Sequence, residues 1–215
     1  MTEDRPDPVQ GPWDLDADLI AAVRSTGQPR VTVHEHPDTA CVIGRGGDAW
    51  IETHPELLAT DGVPLLRRRG GGCAVVLDPG NLICSVVLPK AGIAGITGAF
   101  KDLSRIMISA LASVGLPGVT QEGVSDLAHG GRKIGGSCIW RTRGLLYYST
   151  TLLLDPQWDL IERYLPHPPR EPDYRQGRRH RDFLTSLSML GLRGVSCDFA
   201  GQIESQLIKE LPQES

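Results

Sequence analysis

The chain has 215 residues with a net charge of −4, 40% hydrophobic and 22% charged residues, which is an ordinary globular composition. The acidic balance excludes a general nucleic-acid-binding surface. Apolar runs stay short of the roughly 20 residues of a membrane-spanning helix, and the start "MTEDRPDPVQGPW" lacks signal-peptide features. We therefore expect a cytoplasmic protein that binds neither a membrane nor nucleic acid.

The first half of the chain predicts a small helix and several strands. Residues 1–12 are proline-rich and predict a flexible N-terminal arm. The stretch "DLDADLIAAVRSTG" has acidic residues at its start and a glycine at its end, which predicts a helix. The stretches "RVTVHEH" and "TACVIG" flank a Pro-Asp turn signal and predict a hairpin. A short helix is predicted over "HPELLATDG", and three strands over "VPLLRRR", "CAVVLD" and "NLICSVVLP".

The second half gives the clearest helical pattern, from Gly98 to Val114, where apolar residues recur at helical spacing. Strands are predicted over "SDLAHGG", "RKIGGSCIW" and "LLYYSTTLLL". A helix over "DPQWDLIERYL", a polar loop over "PHPPREPDYRQGRRHR" and two helices over "DFLTSLSMLG" and "CDFAGQIESQLIKEL" complete the chain. Because helices come between groups of strands, the pattern favours an α+β domain over a doubly wound parallel sheet.

The stretch "RRRGGGCAVVLDPGN", from Arg67 to Asn81, places three arginines directly before three glycines. Guanidinium groups need anionic partners when buried, and glycines expose backbone N–H groups that together can bind phosphate or carboxylate oxygens. The stretch is neither a Walker loop nor a dinucleotide fingerprint, since it lacks G-K-[ST] and a helix-opening G-x-G-x-x-G. It predicts either an anion-binding loop or a surface hairpin with solvated arginines.

The stretch "SDLAHGGRKIGGSC", from Ser125 to Cys138, places Lys133 between a glycine turn and two further glycines. A lysine there can direct one compact cation at an acyl carboxylate or a phosphate oxygen. The glycines let a ligand lie against the backbone, and Asp126 could accept from an amine or share Mg²⁺. The alternative is an exposed edge strand with a solvated lysine.

Together, the two stretches resemble the lipoate–protein ligase A family, which is related to biotin ligases and octanoyltransferases. The likeness runs from about residue 29 to residue 174, and the matching elements are Arg67-Arg68, Gly71-Gly72, Asp78, Gly80-Asn81, Asp126, "GRKIGGS" and, upstream, "CVIGRG". It implies the α+β biotin/lipoate protein ligase fold, class II aminoacyl-tRNA synthetase-like, with a mixed central sheet flanked by helices. One catalytic domain is expected over residues 13–215, without the C-terminal accessory domain that bacterial ligases of this family often carry.

The resemblance also implies an activity. These ligases use ATP and Mg²⁺ to activate lipoate as lipoyl-AMP and then transfer the lipoyl group to a lysine of a carrier protein. Lys133 inherits the catalytic contact with the acyl carbonyl and the adenylate phosphate, and Asp126 is the candidate Mg²⁺ ligand. A lipoyl carrier and a separate accessory-domain subunit are the implied partners. The residues implied to bind ATP or lipoyl-AMP are Arg68, Arg69, Gly71, Gly72, Ala74, Val75, Val76, Leu77, Asn81, Asp126, Gly136 and Ser137.

The chain departs from the family pattern at positions near this site. Leu77 stands where the family often has histidine, Cys73 occupies the third glycine position, and Ser149-Thr150 replace a His-Gly pair. These differences bear on nucleotide handling and on the choice of acyl chain. The natural acceptor and the preference for lipoate or octanoate stay open.

Two other functions fit the same fold. Octanoyltransferases pass an acyl group through a cysteine without ATP, and Cys138 and Cys73 are the candidate nucleophiles. Lys133 and Cys138 are an odd number of residues apart, so on a regular strand they would point to opposite faces, unless a bulge intervenes. The five cysteines form no C-x-x-C pair, so neither a zinc knuckle nor a disulfide framework is predicted. The third possibility is a non-catalytic subunit that binds lipoyl-adenylate or a carrier.

The arginine-rich stretch "REPDYRQGRRHRDF" is open to three interpretations. It is a solvated basic loop, a docking surface for an acidic carrier domain, or the source of an arginine that closes over the triphosphate.

Overall fold

The computed structural model describes residues 5–89, 95–142, 144–192 and 197–211. The helices in chain order are α1 (Ala17–Thr26), α2 (Ala49–Glu52), α3 (Pro55–Thr60), α4 (Ile96–Ser113), α5 (Trp158–Tyr164), α6 (His180–Phe183) and α7 (Cys197–Glu210), with a 3₁₀ turn at Asp173–Arg175. The strands are β1 (Gly11–Pro12), β2 (Arg30–Glu35), β3 (Ala40–Ile43), β4 (Leu65–Arg67), β5 (Val75–Leu77), β6 (Asn81–Pro89), β7 (Val119–Glu122), β8 (Asp126–His129), β9 (Arg132–Thr142) and β10 (Leu145–Leu153).

The strands form two sheets. The larger sheet has six strands in the order β2-β6-β10-β9-β8-β7, and every neighbouring pair is antiparallel. The smaller sheet has the order β1-β4-β3-β5 and is mixed, because β3 is parallel to β4 and antiparallel to β5. This α+β arrangement confirms the predicted fold class.

The two faces of the larger sheet are covered by different helices. Leu82 and Val86 of β6 face a core that α4 and α7 supply with residues such as Leu103 and Leu207. On the opposite face, Val87 of β6 packs against α1. Because successive strand residues point to opposite faces, the central strand β6 is buried on both sides, which is why its sequence is apolar nearly throughout. The functional cavity lies on the face that α1 shares.

Two predicted elements are wrong. The predicted hairpin does not form, because β2 pairs with β6 in the larger sheet while β3 lies between β4 and β5 in the smaller one. All four residues of β3 are buried, which is typical of an interior strand rather than of a hairpin edge. The helix predicted over residues 182–191 is also absent beyond Phe183, since Leu184 bridges to Lys133 and the Thr185 N–H donates to the Lys133 carbonyl at 2.9 Å. Tertiary backbone pairing overrides the local pattern there.

The end of the predicted N-terminal arm belongs to the smaller sheet. The Gln10 N–H donates to the Leu65 carbonyl at 2.9 Å, and β1 pairs in parallel with β4. Residues 1–4 of that arm lie outside the described residues. Two short elements, α2 and β7, carry too little periodicity to be predicted from sequence. Within the described ranges, no helix is long and apolar enough to cross a membrane.

Candidate active site

A cavity of about 290 Å³ lies on the α1 face of the larger sheet, close to the size of a small-molecule site. It brings both sequence motifs together, since Lys133 and the turn at Gly72 line the same space. Gly71 is not among the lining residues. The predicted residues that line the cavity are Arg68, Arg69, Gly72, Ala74, Val75, Val76, Leu77, Asn81, Asp126, Lys133, Gly136 and Ser137, together with Cys73 and Cys138.

The glycine loop between β4 and β5 is held in place by Arg68. Its guanidinium donates to the Gly71 carbonyl from Nε at 3.1 Å and from Nη2 at 2.7 Å, to the Cys73 carbonyl at 2.8 Å and to the Val42 carbonyl at 3.0 Å. Gly72 has a φ of 95°, which favours glycine. Arg68 therefore stabilises the loop through its carbonyls. The Ala74 N–H donates to the Glu52 carboxylate at 2.7 Å, whereas the N–H groups of residues 70–73 have no acceptor among the described residues and are left for a ligand.

The loop also needs glycine where it passes other backbone. A Cβ on Gly44 would lie 2.0 Å from the Gly72 carbonyl oxygen, and a Cβ on Gly70 would lie 2.8 Å from the Cys138 Sγ. These distances are far inside van der Waals contact. The glycines thus let the loop cover the sheet at Cys138.

Arg69 contacts residues that the sequence did not single out. Its Nη2 lies 2.9 Å from the Asp14 carboxylate, and its guanidinium lies over the Trp140 ring at 5.0 Å. Both Arg69 and Asp14 line the cavity. Asp14 precedes α1 and is 55 residues from Arg69 in sequence, so short-range patterns carry no signal for this pair.

A bulge in β9 brings Lys133 to the cavity face. Leu127 of β8 lies opposite Gly135, but the next residue, Ala128, lies opposite Lys133, so Ile134 is an extra residue on β9. Ile134 is fully buried in the core under α4 and α7. Because Ile134 is an extra residue, Lys133 and Cys138 lie on the same face of the sheet although they are five residues apart, and both line the same cavity.

Lys133 is paired with Asp126 across the two strands. The Lys133 Nζ lies 2.7 Å from Asp126 Oδ1, and the Tyr174 hydroxyl donates to Asp126 Oδ2 at 3.0 Å. A Cβ on Gly136 would lie 3.0 Å from the Lys133 Nζ, so this glycine makes room for the lysine side chain. Lys133 reaches the cavity as an ammonium group with an internal counter-ion.

The proposed Mg²⁺ ligand is therefore already engaged. Both carboxylate oxygens of Asp126 have partners, and the described residues contain no group of three or more His, Cys, Asp or Glu side chains that could hold a metal. Mg²⁺ in nucleotide sites is held by one or two carboxylates plus phosphates. Asp126 would have to release Lys133 or Tyr174 to serve as such a carboxylate, so these residues do not form a ready Mg²⁺ site.

Part of the arginine-rich loop is structural. The Arg178 Nη2 donates to the Tyr174 carbonyl at 2.7 Å and to the Gly131 carbonyl at 3.0 Å, which ties the loop to the start of β9. Arg175 is 4% exposed, stacks over Phe183 at 4.8 Å and lines the cavity. Its Nη2 has no hydrogen-bond partner within the described part of the chain, and burial lowers the pKa of its guanidinium. A solvated loop is therefore the wrong interpretation for these two arginines, whereas Arg170 and Arg179 are exposed.

The two candidate nucleophiles differ in environment. Cys138 is covered by Gly70, and burial raises the pKa of its thiol despite the nearby Arg68. Such a thiol is a poor nucleophile, because the thiolate is the reactive form. Cys73 is partly exposed in the glycine loop, with its Sγ 3.7 Å from the Arg170 carbonyl.

The side chains of Asn81 and Ser137, which the motif implies for nucleotide binding, make hydrogen bonds within the protein. The Asn81 side chain is fully buried, donates to Asp78 Oδ1 at 3.0 Å, and leaves its Oδ1 without a hydrogen-bond partner among the described residues. The Ser137 hydroxyl is within 2.8 Å of the Tyr148 hydroxyl and the Thr150 Oγ1. Its side chain and its backbone N–H, which donates to the Ser125 carbonyl at 2.9 Å, are thus both engaged within the protein.

Comparison with known proteins identifies the family and supports the fold. Residues 8–208 match the Lipoyl protein ligase A/B catalytic domain family. The chain belongs to this family. It is 33% identical over 129 residues to a lipoate–protein ligase of Streptococcus pyogenes, covering 60% of this chain and 37% of that protein. It is 32% identical over 161 residues to a probable lipoate-protein ligase A of Mycoplasma genitalium, covering 74% and 47%. The chain thus spans less than half the length of these family members.

Two solved structures of lipoate ligases share the fold. The bi-partite lipoate protein ligase of Thermoplasma acidophilum, studied with its E2 lipoyl domain, superposes with a TM-score of 0.72 at 23% identity, covering 94% of this chain and 80% of that one. A lipoate-protein ligase A bound with ATP gives a TM-score of 0.71 at 22% identity, covering 91% and 76%. The lipoate ligase catalytic fold expected from the two motifs is confirmed.

Proposed function

We propose that this protein is an ATP-dependent lipoate–protein ligase. The observation that carries the proposal is that Lys133 and the glycine loop border one cavity in a member of the lipoyl ligase family. An ammonium group and several backbone N–H donors directed at one point suit a mixed anhydride of a carboxylic acid and AMP. The ATP in a related solved ligase supports the choice of nucleotide.

The reaction has two steps in which charge develops on oxygen. A carboxylate oxygen of lipoate attacks the α-phosphorus of ATP, and pyrophosphate leaves. The amine of a carrier lysine then attacks the acyl carbonyl, loses a proton, and AMP leaves with the bridging oxygen. Lys133 would exchange Asp126 for the acyl carbonyl and phosphate oxygens, while Tyr174 continues to donate to the freed carboxylate. Fixed donors of this kind stabilise such transition states. No step is assigned to Mg²⁺.

The proposed partners are a carrier with an acceptor lysine and a separate accessory-domain subunit. The bi-partite Thermoplasma acidophilum ligase is a related case in which two parts are described. The exposed Arg170 and Arg179 offer positive charge beside the cavity for an acidic carrier surface.

The test is the mass of an acceptor lipoyl domain after incubation with the protein, lipoate and MgATP. We expect a lipoyl mass gain that requires ATP and that falls about 100-fold or more in Lys133→Ala, because a charge-stabilising donor is lost. Lys101→Ala, on the exposed side of α4, is the matched control and should keep full activity.

Other outcomes would assign the site differently. Full activity of Lys133→Ala would contradict the role of this lysine. Acyl transfer from a carrier without ATP, with a thioester on Cys73, would indicate the transferase chemistry instead. Tight nucleotide binding without any mass gain, also in the presence of a matching accessory subunit, would indicate a non-catalytic binding subunit.

A further inference from the structure

Asp16 places a buried carboxylate in the wall of the cavity. It stands at the N-cap of α1, where aspartate normally accepts hydrogen bonds from the first helical N–H groups. Here its side chain makes no capping hydrogen bond. Instead Oδ2 accepts hydrogen bonds from the Ser85 Oγ and the Tyr147 hydroxyl, both at 2.6 Å, and the residue is 7% exposed. The carboxylate is therefore turned away from its helix and toward the sheet.

The second carboxylate oxygen of Asp16, Oδ1, is available to accept a hydrogen bond from a ligand. Both hydrogen bonds reach Oδ2, and no described residue donates to Oδ1. Oδ1 does not belong to the fully buried atoms without a partner, so it is accessible from the cavity, and a ligand that covered it without donating a hydrogen bond would bind less favourably. Tyr147 stays protonated as a donor, since burial and then the charge of Asp16 raise the pKa of its phenol. Asp16 thus lines the cavity as an acceptor with one unused position.

The strand register fixes where this acceptor lies relative to Lys133. On the cavity face, Gly136 lies beside the Lys133 ammonium. The next cross-strand row on that face consists of Cys138, Ser149 and Ser85, two residues further along each strand. Two strand residues span on the order of 7 Å. Asp16 is bonded to Ser85 in this second row, so it lies further from Lys133 along the strands.

From this register we propose that Asp16 forms a subsite for a neutral hydrogen-bond donor at the far end of the acyl chain. The inference rests on the proposed function, since it takes the carboxyl end of the substrate to lie at Lys133. The cavity walls include the apolar residues Trp13 and Ile20 near Asp16 and Ile83 in the row of Gly136, which suit a hydrocarbon chain between the two ends. A chain that ends in a methyl group would leave Oδ1 unpaired, and a chain that ends in an anion would be repelled.

The subsite therefore binds lipoate without a hydrogen bond to Asp16 and binds more tightly a medium-chain carboxylic acid whose far end carries an O–H, N–H or S–H group. Octanoate has no such group, and neither does the closed dithiolane ring of lipoate. Reduced lipoate carries two thiols at that end. We expect 8-hydroxyoctanoate, which differs from octanoate by a single hydroxyl, to show the preference most clearly.

The test is calorimetric binding of 8-hydroxyoctanoate and octanoate to the full chain, with and without a non-hydrolysable ATP analogue. The wild type should bind 8-hydroxyoctanoate about tenfold or more tightly, because a hydrogen bond to a charged group is formed only with this acid. Asp16→Leu should remove or reverse the preference. Asp16→Asn keeps the size of the side chain and should reduce it. Asp18→Asn, on the exposed side of α1, is the matched control and should change nothing.

Several results would overturn the inference. Equal binding of the two acids by the wild type would do so without any variant, and so would failure of both to bind. A change in affinity for the ATP analogue rather than for the acid in Asp16→Asn would assign the carboxylate to the nucleotide instead. The readout is independent of turnover, so a lack of lipoyl transfer would contradict the proposed function while this preference is still measured.

Discussion

At the scale of single residues, the site depends on the ammonium group of Lys133 and on glycines whose missing Cβ atoms leave room for this group and for the glycine loop. The motifs allowed the sequence to point to Lys133 and the glycine loop, because residue types and spacing there match a family pattern. Asp16 and Tyr147 were missed, since their contact joins residues 131 positions apart. No local pattern marks such a pair, and an aspartate before a helix is interpreted as a cap by default.

Gly136 controls the position of Lys133. In Gly136→Ala, the added Cβ would approach the lysine Nζ to 3.0 Å and Cε to 3.1 Å, so the ammonium group must shift. We expect a fall in kcat of about tenfold or more, since small displacements of a charge-stabilising group are costly, with little change in the melting temperature.

Gly201→Ala is the control for this change. Gly201 lies in α7, and an added Cβ there would meet no atom within 4 Å. It should keep full activity and gain up to about 1 kcal/mol in the free energy of unfolding. Unchanged kinetics in Gly136→Ala would show that Lys133 has free space that the geometry does not indicate.

At the scale of elements, β9 and the glycine loop depend on features that periodicity does not encode. The helix α4 is predicted from apolar residues that recur at helical spacing, and α1 from its acidic start and its terminal glycine. The hairpin was wrong because pairing partners are chosen by the whole sheet rather than by the nearest turn. The sequence allows a bulge at the glycines of β9 but does not fix its position, because residue types alone do not show where a strand gains an extra residue; the structure places it at Ile134.

Arg68 is the residue that orders the glycine loop. In Arg68→Lys, a single ammonium group cannot replace the fork of donors to the carbonyls of Gly71, Cys73 and Val42. Each unpaired carbonyl costs about 1–3 kcal/mol when it is buried. We expect faster hydrogen exchange of the amides at residues 70–73 and a higher KM for ATP, as measured by mass spectrometry and steady-state kinetics.

Arg45→Lys provides the comparison for Arg68→Lys. Arg45 is exposed and lies next to Gly44 in the adjoining loop. Its backbone N–H donates to the Gly70 carbonyl at 2.9 Å, which Arg45→Lys keeps, so this variant changes only an exposed side chain in the same neighbourhood. Its exchange rates and KM should equal those of the wild type. If Arg68→Lys behaves like Arg45→Lys, the loop is held by other contacts.

At the scale of the whole molecule, the fold keeps two histidines in neutral form. His36 is 6% exposed, its ring lies edge-on to Trp13 at 5.3 Å, and neither ring nitrogen has a hydrogen-bond partner among the described residues. Burial is the main cause that lowers the pKa of His36 and also that of His180. His180 lines the cavity, and the His36 ring contacts Trp13, which also lines it.

Acidification should therefore destabilise the protein. The folded pKa of each histidine is below the unfolded value of about 6.5, so as the pH falls below that value the unfolded state takes up protons that the folded state does not. We expect the free energy of unfolding to fall between pH 7.5 and 5.5, by at most about 1.4 kcal/mol per pH unit for each histidine. Urea unfolding at several pH values measures this slope.

His36→Phe should reduce the slope, because it keeps an aromatic ring against Trp13 and removes the titrating group. His54→Phe is the control, since the His54 side chain is 41% exposed, and it should leave the slope unchanged. An identical slope in His36→Phe and the wild type would mean that other groups account for the acid sensitivity.

The extra residue in β9 has a consequence for how this site can change over time. A one-residue slip of a strand turns every side chain to the other face, and here such a slip would move Ile134 out of the core and Lys133 into it. The cost of exposing the isoleucine thus penalises any register in which the ammonium group faces the wrong way. Selection for a well-packed interior and selection for a correctly directed cation act on the same two neighbouring positions.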